Sequence, residues 1–139
     1  MDMPILRKSY DTPVLIVDDN QADRLVLRQA LKTLGFYEIQ EAEDGRLAEY
    51  KIENACKIGE PFQLVFVDLR MPRENGLILI ESLRSRANTS GMYVIMITGA
   101  ADLDNVEAAF RKGVDDLLVK PLTLSHLRLK VDKFLNRAA

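Results

Sequence analysis

The sequence predicts an α/β fold, an open parallel sheet with helices on both faces. Three observations carry that prediction. Short, almost wholly apolar runs recur at residues 14–17, 64–67, 93–97 and 117–119, and runs this short and apolar read as strands buried on both faces of a sheet. Stretches with helical apolar spacing alternate with them, which is the pattern of repeated β-α units. Each run also ends on a chemically active side chain. Asp18 and Asp19 end the first, Asp68 the second, Thr98 the third, and Lys120, followed by Pro121, the last. Ligand sites in open α/β sheets lie beyond the carboxyl ends of the strands. Three carboxylates, one hydroxyl and one ammonium are therefore expected at one rim.

Residues 1–13 are polar and mixed and read as a flexible N-terminal arm, with the folded domain over 14–139. After the first strand, Asn20 is a good helix N-cap and Asp23 stands at the third helical position. Leu27, Ala30, Leu31 and Leu34 form the apolar stripe of that helix, and Gly35 stops it. Residues 37–41 make a short second strand. Asp44 and Gly45 open a second helix that runs to about Lys57 and is broken by Gly59 and Pro61. A loop over 69–75 leads into a third helix carrying Leu77, Ile80 and Leu83, and 88–91 is a turn. Asp102 or Asp104 is suited to cap a fourth helix that Gly113 ends. The fifth strand covers 116–119. Thr123 or Ser125 caps the last helix, with Leu124, Leu127, Val131, Phe134 and Leu135 inward. Right-handed crossovers bring the carboxyl ends of all five strands to the same side.

Composition narrows the function. A chain of 139 residues with 47% hydrophobic content is one globular domain. Its formal net charge of −2 supplies no basic field for nucleic acid or an anionic membrane, and no apolar run is long enough to span a bilayer. Residues 1–13 lack the apolar core of a signal peptide. A single cysteine, Cys56, has no disulfide partner and no companion zinc ligands. A cytoplasmic protein is expected, with Cys56 as a small buried hydrophobe.

Adjacent carboxylates in a desolvated pocket raise one another's pKa, and a divalent cation relieves the repulsion. Asp18, Asp19 and Asp68 offer hard oxygen ligands of the kind magnesium takes together with water and phosphate. Taken singly, each residue has an ordinary reading. The Asp pair can cap a helix, Lys120 can be a surface lysine, and Thr98 can be a β-branched strand end. Arg24, Arg28 and Lys32 read as a solvated helix face, and His126 as a solvated histidine.

The Asp18-Asp19 pair, Asp68 with Met71-Pro72 and Gly76 behind it, Thr98-Gly99 and Lys120-Pro121, in this order and at strand ends, resemble the receiver domain of two-component response regulators. The resemblance runs from about Val14 to the last helix. It implies a flavodoxin-like (βα)5 fold with strand order 2-1-3-4-5. It also implies that Asp68 is the phosphoacceptor and that Asp19 and Asp68 hold Mg2+ directly, with Asp18 acting through water and Arg70 through its main-chain carbonyl. Thr98 and Lys120 would contact the phosphoryl group, and Lys120-Pro121 would be a cis peptide. The implied partners are a sensor histidine kinase or histidine phosphotransfer protein and a downstream effector. The effector surface would be the fourth helix, fifth strand and fifth helix, with a homodimer on the same face. There, Arg111, Lys112, Asp115, Asp116 and Lys133 supply mixed charge.

Three places depart from the family pattern, one of them Gly99-Ala100 after Thr98, small residues that leave the pocket open to small phosphodonors and to water. Leu117 stands where an aromatic side chain usually couples to the strand-four hydroxyl. Arg70 stands two residues after the acceptor, where it could pair with Asp18 or Asp19 before metal binds, or with the phosphoryl group afterwards. Other readings are weaker. An aspartyl phosphohydrolase needs an acid where Arg70 stands. A flavin carrier needs a phosphate-binding loop after the first strand, where the chain has Asp19-Asn20-Gln21-Ala22. A phosphorylation-independent adaptor, and a receiver belonging to a longer transcriptional or enzymatic regulator, stay open as alternatives. Catalysis would be confined to the protein's own phosphorylation and slow hydrolysis, so a turnover enzyme is not expected.

Overall fold

The computed structural model describes residues 10–71 and 74–137. Its strands are β1 (Val14–Val17), β2 (Ile39–Ala42), β3 (Leu64–Asp68), β4 (Tyr93–Thr98) and β5 (Asp116–Val119). Its helices are α1 (Gln21–Leu34), α2 (Gly45–Lys57), α3 (Gly76–Arg84), α4 (Val106–Lys112) and α5 (Leu124–Asn136). The sheet order is β2-β1-β3-β4-β5 with every neighbour parallel. This is the flavodoxin-like arrangement that the resemblance implies.

The period of two along a strand sorts the core into two layers. Leu15, Val17, Val65, Val67, Val94 and Met96 meet α2, α3 and α4 on one face. Val14, Ile16, Leu64, Phe66, Ile95 and Ile97 meet Leu27 and Leu31 of α1 and Val131 and Phe134 of α5 on the other. The central strands are buried on both faces because helices cover both. Registers are nearly flush: Val17 pairs with Val67, Asp68 with Ile97, and Thr98 with Val119. The strand ends therefore reach the rim together.

Local signals place most helix boundaries. The Asn20 side chain accepts the Asp23 N–H at 2.9 Å, the Asp44 side chain that of Leu47 at 2.8 Å, and the Thr123 hydroxyl that of His126 at 3.1 Å. Gly35 closes α1 with φ +116°.

Elsewhere the structure corrects the sequence reading. The second strand is Ile39–Ala42 rather than 37–41. The segment 69–75 is not a plain loop, because Arg70–Met71 pairs antiparallel with Glu74–Asn75. The fourth helix is preceded by a 3-10 stretch, Ala100–Asn105, whose cap position is Gly99 with no side-chain cap bond. Asp102 does not serve as that cap, because its carboxylate is drawn to Arg70. In α5, Leu124 is exposed, since the helix's first position lies outside the buried stripe of Leu127, Val131 and Phe134. Cys56 is half-buried rather than buried. Tyr10 packs against Phe36 with ring centroids 5.2 Å apart and the planes tilted by 60°, and Thr12 is buried. The remainder of the expected arm, 1–9, lies outside the described residues.

Two sets of contacts fix α3 at its two ends, Arg84 at the edge where β4 and β5 begin and Gly76 at the rim where β3 ends. Arg84, at the end of α3, donates to the carbonyls of Ser90 (2.8 Å), Met92 (2.6 Å) and Gly113 (2.7 Å) and pairs with Asp115 at 2.7 Å. It thereby ties α3 to the start of β4 and to the turn before β5. At the other end of α3, Gly76 donates its N–H to the Leu69 carbonyl at 2.9 Å. A Cβ on Gly76 would overlap the Asp68 main-chain oxygen and sit 2.9 Å from Val67 Cγ1. The helix can approach the end of β3 this closely only without a side chain. Gly76→Ala is expected to destabilise the fold by roughly 1–3 kcal/mol, as overpacking of a tight site does. A denaturant midpoint equal to that of the unaltered protein would show that this approach is not tight.

Candidate functional site

The rim is built from main-chain pairing outward. Asp18 continues β1 by donating its N–H to Ala42 O at 3.1 Å, and its Oδ1 accepts the Asn20 N–H at 2.9 Å, which turns the chain into α1. Arg24 reaches back from α1 and donates Nη1 to the Asp18 carbonyl at 2.6 Å and Nε to Glu41 at 2.9 Å. Arg28 pairs with the other oxygen of Glu41 at 3.0 Å. These arginines are half-buried and pinned to β2, not the solvated face that helical spacing suggests. Asp68 is the last residue of β3. Leu69 N–H bonds Ile97 O at 2.9 Å and Lys120 N–H bonds Thr98 O at 2.8 Å, so pairing persists to the site itself. The Lys120–Pro121 peptide is cis.

Asp18, Asp19 and Asp68 each present a carboxylate oxygen, and these atoms lie within 4.8 Å of one another. Asp18 and Asp68 are buried and Asp19 is exposed. Lys120 Nζ stands 3.3 Å from Asp68 Oδ2 and 3.2 Å from Asp23 Oδ2. Burial, reinforced by the Asp68 charge, pushes the Asp18 carboxyl up to about 7, against the opposing pull of the Asn20 N–H and Lys120. Burial also works against the Lys120 ammonium, but Asp68, Asp23 and Asp18 outweigh it and hold its pKa above the ordinary value. A cavity of about 310 Å³ opens here, lined by Asp19, Asp68, Arg70, Gly99, Asp102 and Lys120 among others. Clustered, mutually repelling carboxylate oxygens suit a hard divalent cation. Thr98 is buried at the end of β4, and its hydroxyl donates to Gly99 O at 3.3 Å.

Four of the five rim side chains singled out from the sequence, Asp18, Asp19, Asp68 and Lys120, thus converge, while the Thr98 hydroxyl is turned to Gly99 O. Arg70 has a different partner from the one expected. Its guanidinium pairs with Asp102, at 2.6 Å, rather than with Asp18 or Asp19. That pairing raises the Arg70 pKa and lowers that of Asp102. The sequence marks Asp23 only as a helix-start acid, yet it shares Lys120 with Asp68. Its spacing, four residues after Asp19 in the first turn of α1, was the available signal. On the surface of α4, β5 and α5, Asp116 is buried and bonded to Lys130 at 2.8 Å, so it is not part of an exposed charged face. Lys112 pairs with Glu81 at 2.6 Å and Asp115 with Arg84. Leu117 is partly buried against the α2-α3-α4 layer, and His126 is exposed.

The family model described as the response regulator receiver domain matches residues 14–132. This chain belongs to that family. Receiver domains are signalling modules of two-component systems rather than general catalysts. The receiver is 33% identical over 124 residues to the chemotaxis protein CheY-3 of Vibrio cholerae serotype O1, covering 89% of this chain and 92% of that one. The CheY-like receiver domain protein of Methanospirillum hungatei JF-1 superposes with a TM-score of 0.78 at 30% identity, over 91% of this chain and 95% of that one. A two-component response regulator/GGDEF domain protein superposes with a TM-score of 0.84 at 25% identity, over 95% of this chain and 52% of that one. No helix among the described residues is long and apolar enough to cross a membrane.

The raised Asp18 pKa makes stability depend on pH. The folded state holds that proton more tightly than the unfolded chain, so the associated stability is present below pH 3.8 and is lost as pH rises through about 7. In metal-free protein, Asp18→Asn is expected to match the unaltered receiver near pH 4 and to exceed it by roughly 1–4 kcal/mol at pH 8. Denaturant titrations across that range check this. A difference that stays constant with pH would show that Asp18 keeps its charge at little cost.

Proposed function

We propose that this receiver accepts a phosphoryl group on Asp68 from a phosphohistidine and uses the modification to change its preference among protein partners. The observation that carries the proposal is the position of Asp68, buried at the end of a central strand, within reach of two further carboxylates and beside the Lys120 ammonium. In the transfer, an Asp68 oxygen forms the new O–P bond as the donor's N–P bond breaks. The leaving imidazole keeps the electron pair and takes up a proton. Lys120 neutralises one phosphoryl oxygen, and the Thr98 hydroxyl, now on Gly99 O, turns to another. Such transfers depend mainly on positioning and charge neutralisation.

Asp19 and Asp68 would hold Mg2+ directly, Asp18 through water and Arg70 through its carbonyl. The cation would neutralise phosphoryl charge and oppose the burial and the Asp68 charge that together raise the Asp18 pKa. The donor is a sensor histidine kinase or a histidine phosphotransfer protein, and the compartment is the cytoplasm. The effector surface is the α4-β5-α5 face, where Phe110 and Val119 are exposed apolar side chains. A homodimer could use the same face. The full span of the relative that carries a GGDEF domain also supports a receiver working inside a longer regulator.

Incubation with a small acyl phosphate and magnesium, followed by intact-mass measurement, tests the reading. One phosphoryl adduct is expected, absent from Asp68→Asn and from a magnesium-free control. No adduct from either the acyl phosphate or a phosphohistidine donor, with magnesium binding intact, would favour a phosphorylation-independent adaptor.

A further inference from the structure

The Arg70–Asp102 ion pair bridges the segment after β3 and the 3-10 stretch before α4, and both residues line the cavity that holds Asp68. Arg70 Nε lies 3.0 and 2.9 Å from the two Asp102 oxygens, and Nη2 lies 2.6 Å from Oδ1. The two partners sit in unlike surroundings. The Arg70 side chain is 77% exposed and that of Asp102 only 10%. Among the described residues, the hydrogen bonds of the Arg70 side chain all go to Asp102. The guanidinium is therefore held through Asp102 alone among the described residues, and the largely covered Asp102 carboxylate takes its counter-charge from Arg70. The Ala100–Asn105 stretch that carries Asp102 has no side-chain cap at its start.

Arg70 is also rooted at the acceptor, with its main-chain N–H 3.3 Å from Asp68 Oδ1. A phosphoryl group brings a charge on the order of −2 and several strong acceptor oxygens, which guanidinium engages in a charge-assisted fork. We propose that Arg70 changes partners when Asp68 is phosphorylated, leaving Asp102 for the phosphoryl oxygens, and that the unpaired Asp102 then moves toward water and loosens the Ala100–Asn105 stretch at the start of α4. The exchange makes Arg70 the link between the site and α4 in a chain where Leu117 provides no aromatic ring. It rests on the phosphoacceptor reading of Asp68.

Hydrogen–deuterium exchange of the 100–112 region, in the full chain with and without an acyl phosphate and magnesium, tests the link, with intact mass fixing the phosphorylated fraction. The unaltered protein is expected to exchange several-fold faster there once phosphorylated. Asp102→Asn and Arg70→Gln are each expected to lose that phosphorylation-dependent difference. Asp102→Asn is the decisive variant, because it leaves every residue proposed to hold metal or phosphoryl in place. A phosphorylated unaltered protein with unchanged exchange, or an Asp102→Asn variant that keeps the full response, would overturn the link while leaving the acceptor role intact. A complete absence of adduct in the unaltered protein would instead remove the acceptor reading and the link with it.

Discussion

Asp18, Asp19 and Asp68 present carboxylate oxygens within 4.8 Å of one another, two of the three on buried residues. Without opposing charge, such a cluster pushes itself apart or takes up protons. Much of the surrounding structure answers that constraint. Flush parallel registers bring the strand ends together whether or not their charges agree, because the apolar layers on either side of the sheet fix those registers. Lys120 arrives from the end of β5, across β4, and offsets part of the repulsion. The rest adds to burial, which is the main cause of the raised pKa of Asp18. A site held in this state is prepared for a cation or for a group that brings one.

Arginines tie main-chain segments at both edges of the sheet, Arg24 beside this cluster and Arg84 at the opposite edge. Arg24 holds the Asp18 carbonyl while Glu41 holds Arg24. Arg84 gathers three carbonyls from two loops. In each case a guanidinium satisfies main-chain acceptors that loops would otherwise present to water, and its fork loses little freedom per bond made. Arg70 differs from both. It bonds no carbonyl among the described residues, is mostly exposed, and is held to a carboxylate of another loop. The first two are anchors, and the third can be displaced by a stronger anion.

Strand ends place Asp68, the Asp18-Asp19 pair, Thr98 and Lys120, while the loops around them are positioned by their own contacts. Leu117 packs into the α2-α3-α4 layer as an aliphatic side chain. It keeps the layer filled but has no polar tip to exchange between water and the interior. Any coupling from the rim to α4 must then run through other contacts, and the Arg70–Asp102 pair spans that gap.

Strand runs, helix caps and the five rim residues could be read from the chain alone, because burial on both faces of a sheet and capping by Asn20, Asp44 and Thr123 are local patterns with local causes. Asp68, Thr98 and Lys120 were identifiable for the same reason, as polar groups ending apolar runs. The partners of the charged side chains were not. Arg24 and Arg28 have the spacing of a solvated face, and Asp102 has the look of a helix cap. Their real partners, Glu41 and Arg70, come from other loops and strands, 17 and 32 residues away for Arg24 and Asp102. A charge carries no periodicity that marks its partner. Whether it pairs, caps or faces water depends on which loops the sheet register brings side by side, and that is settled only when the chain is folded.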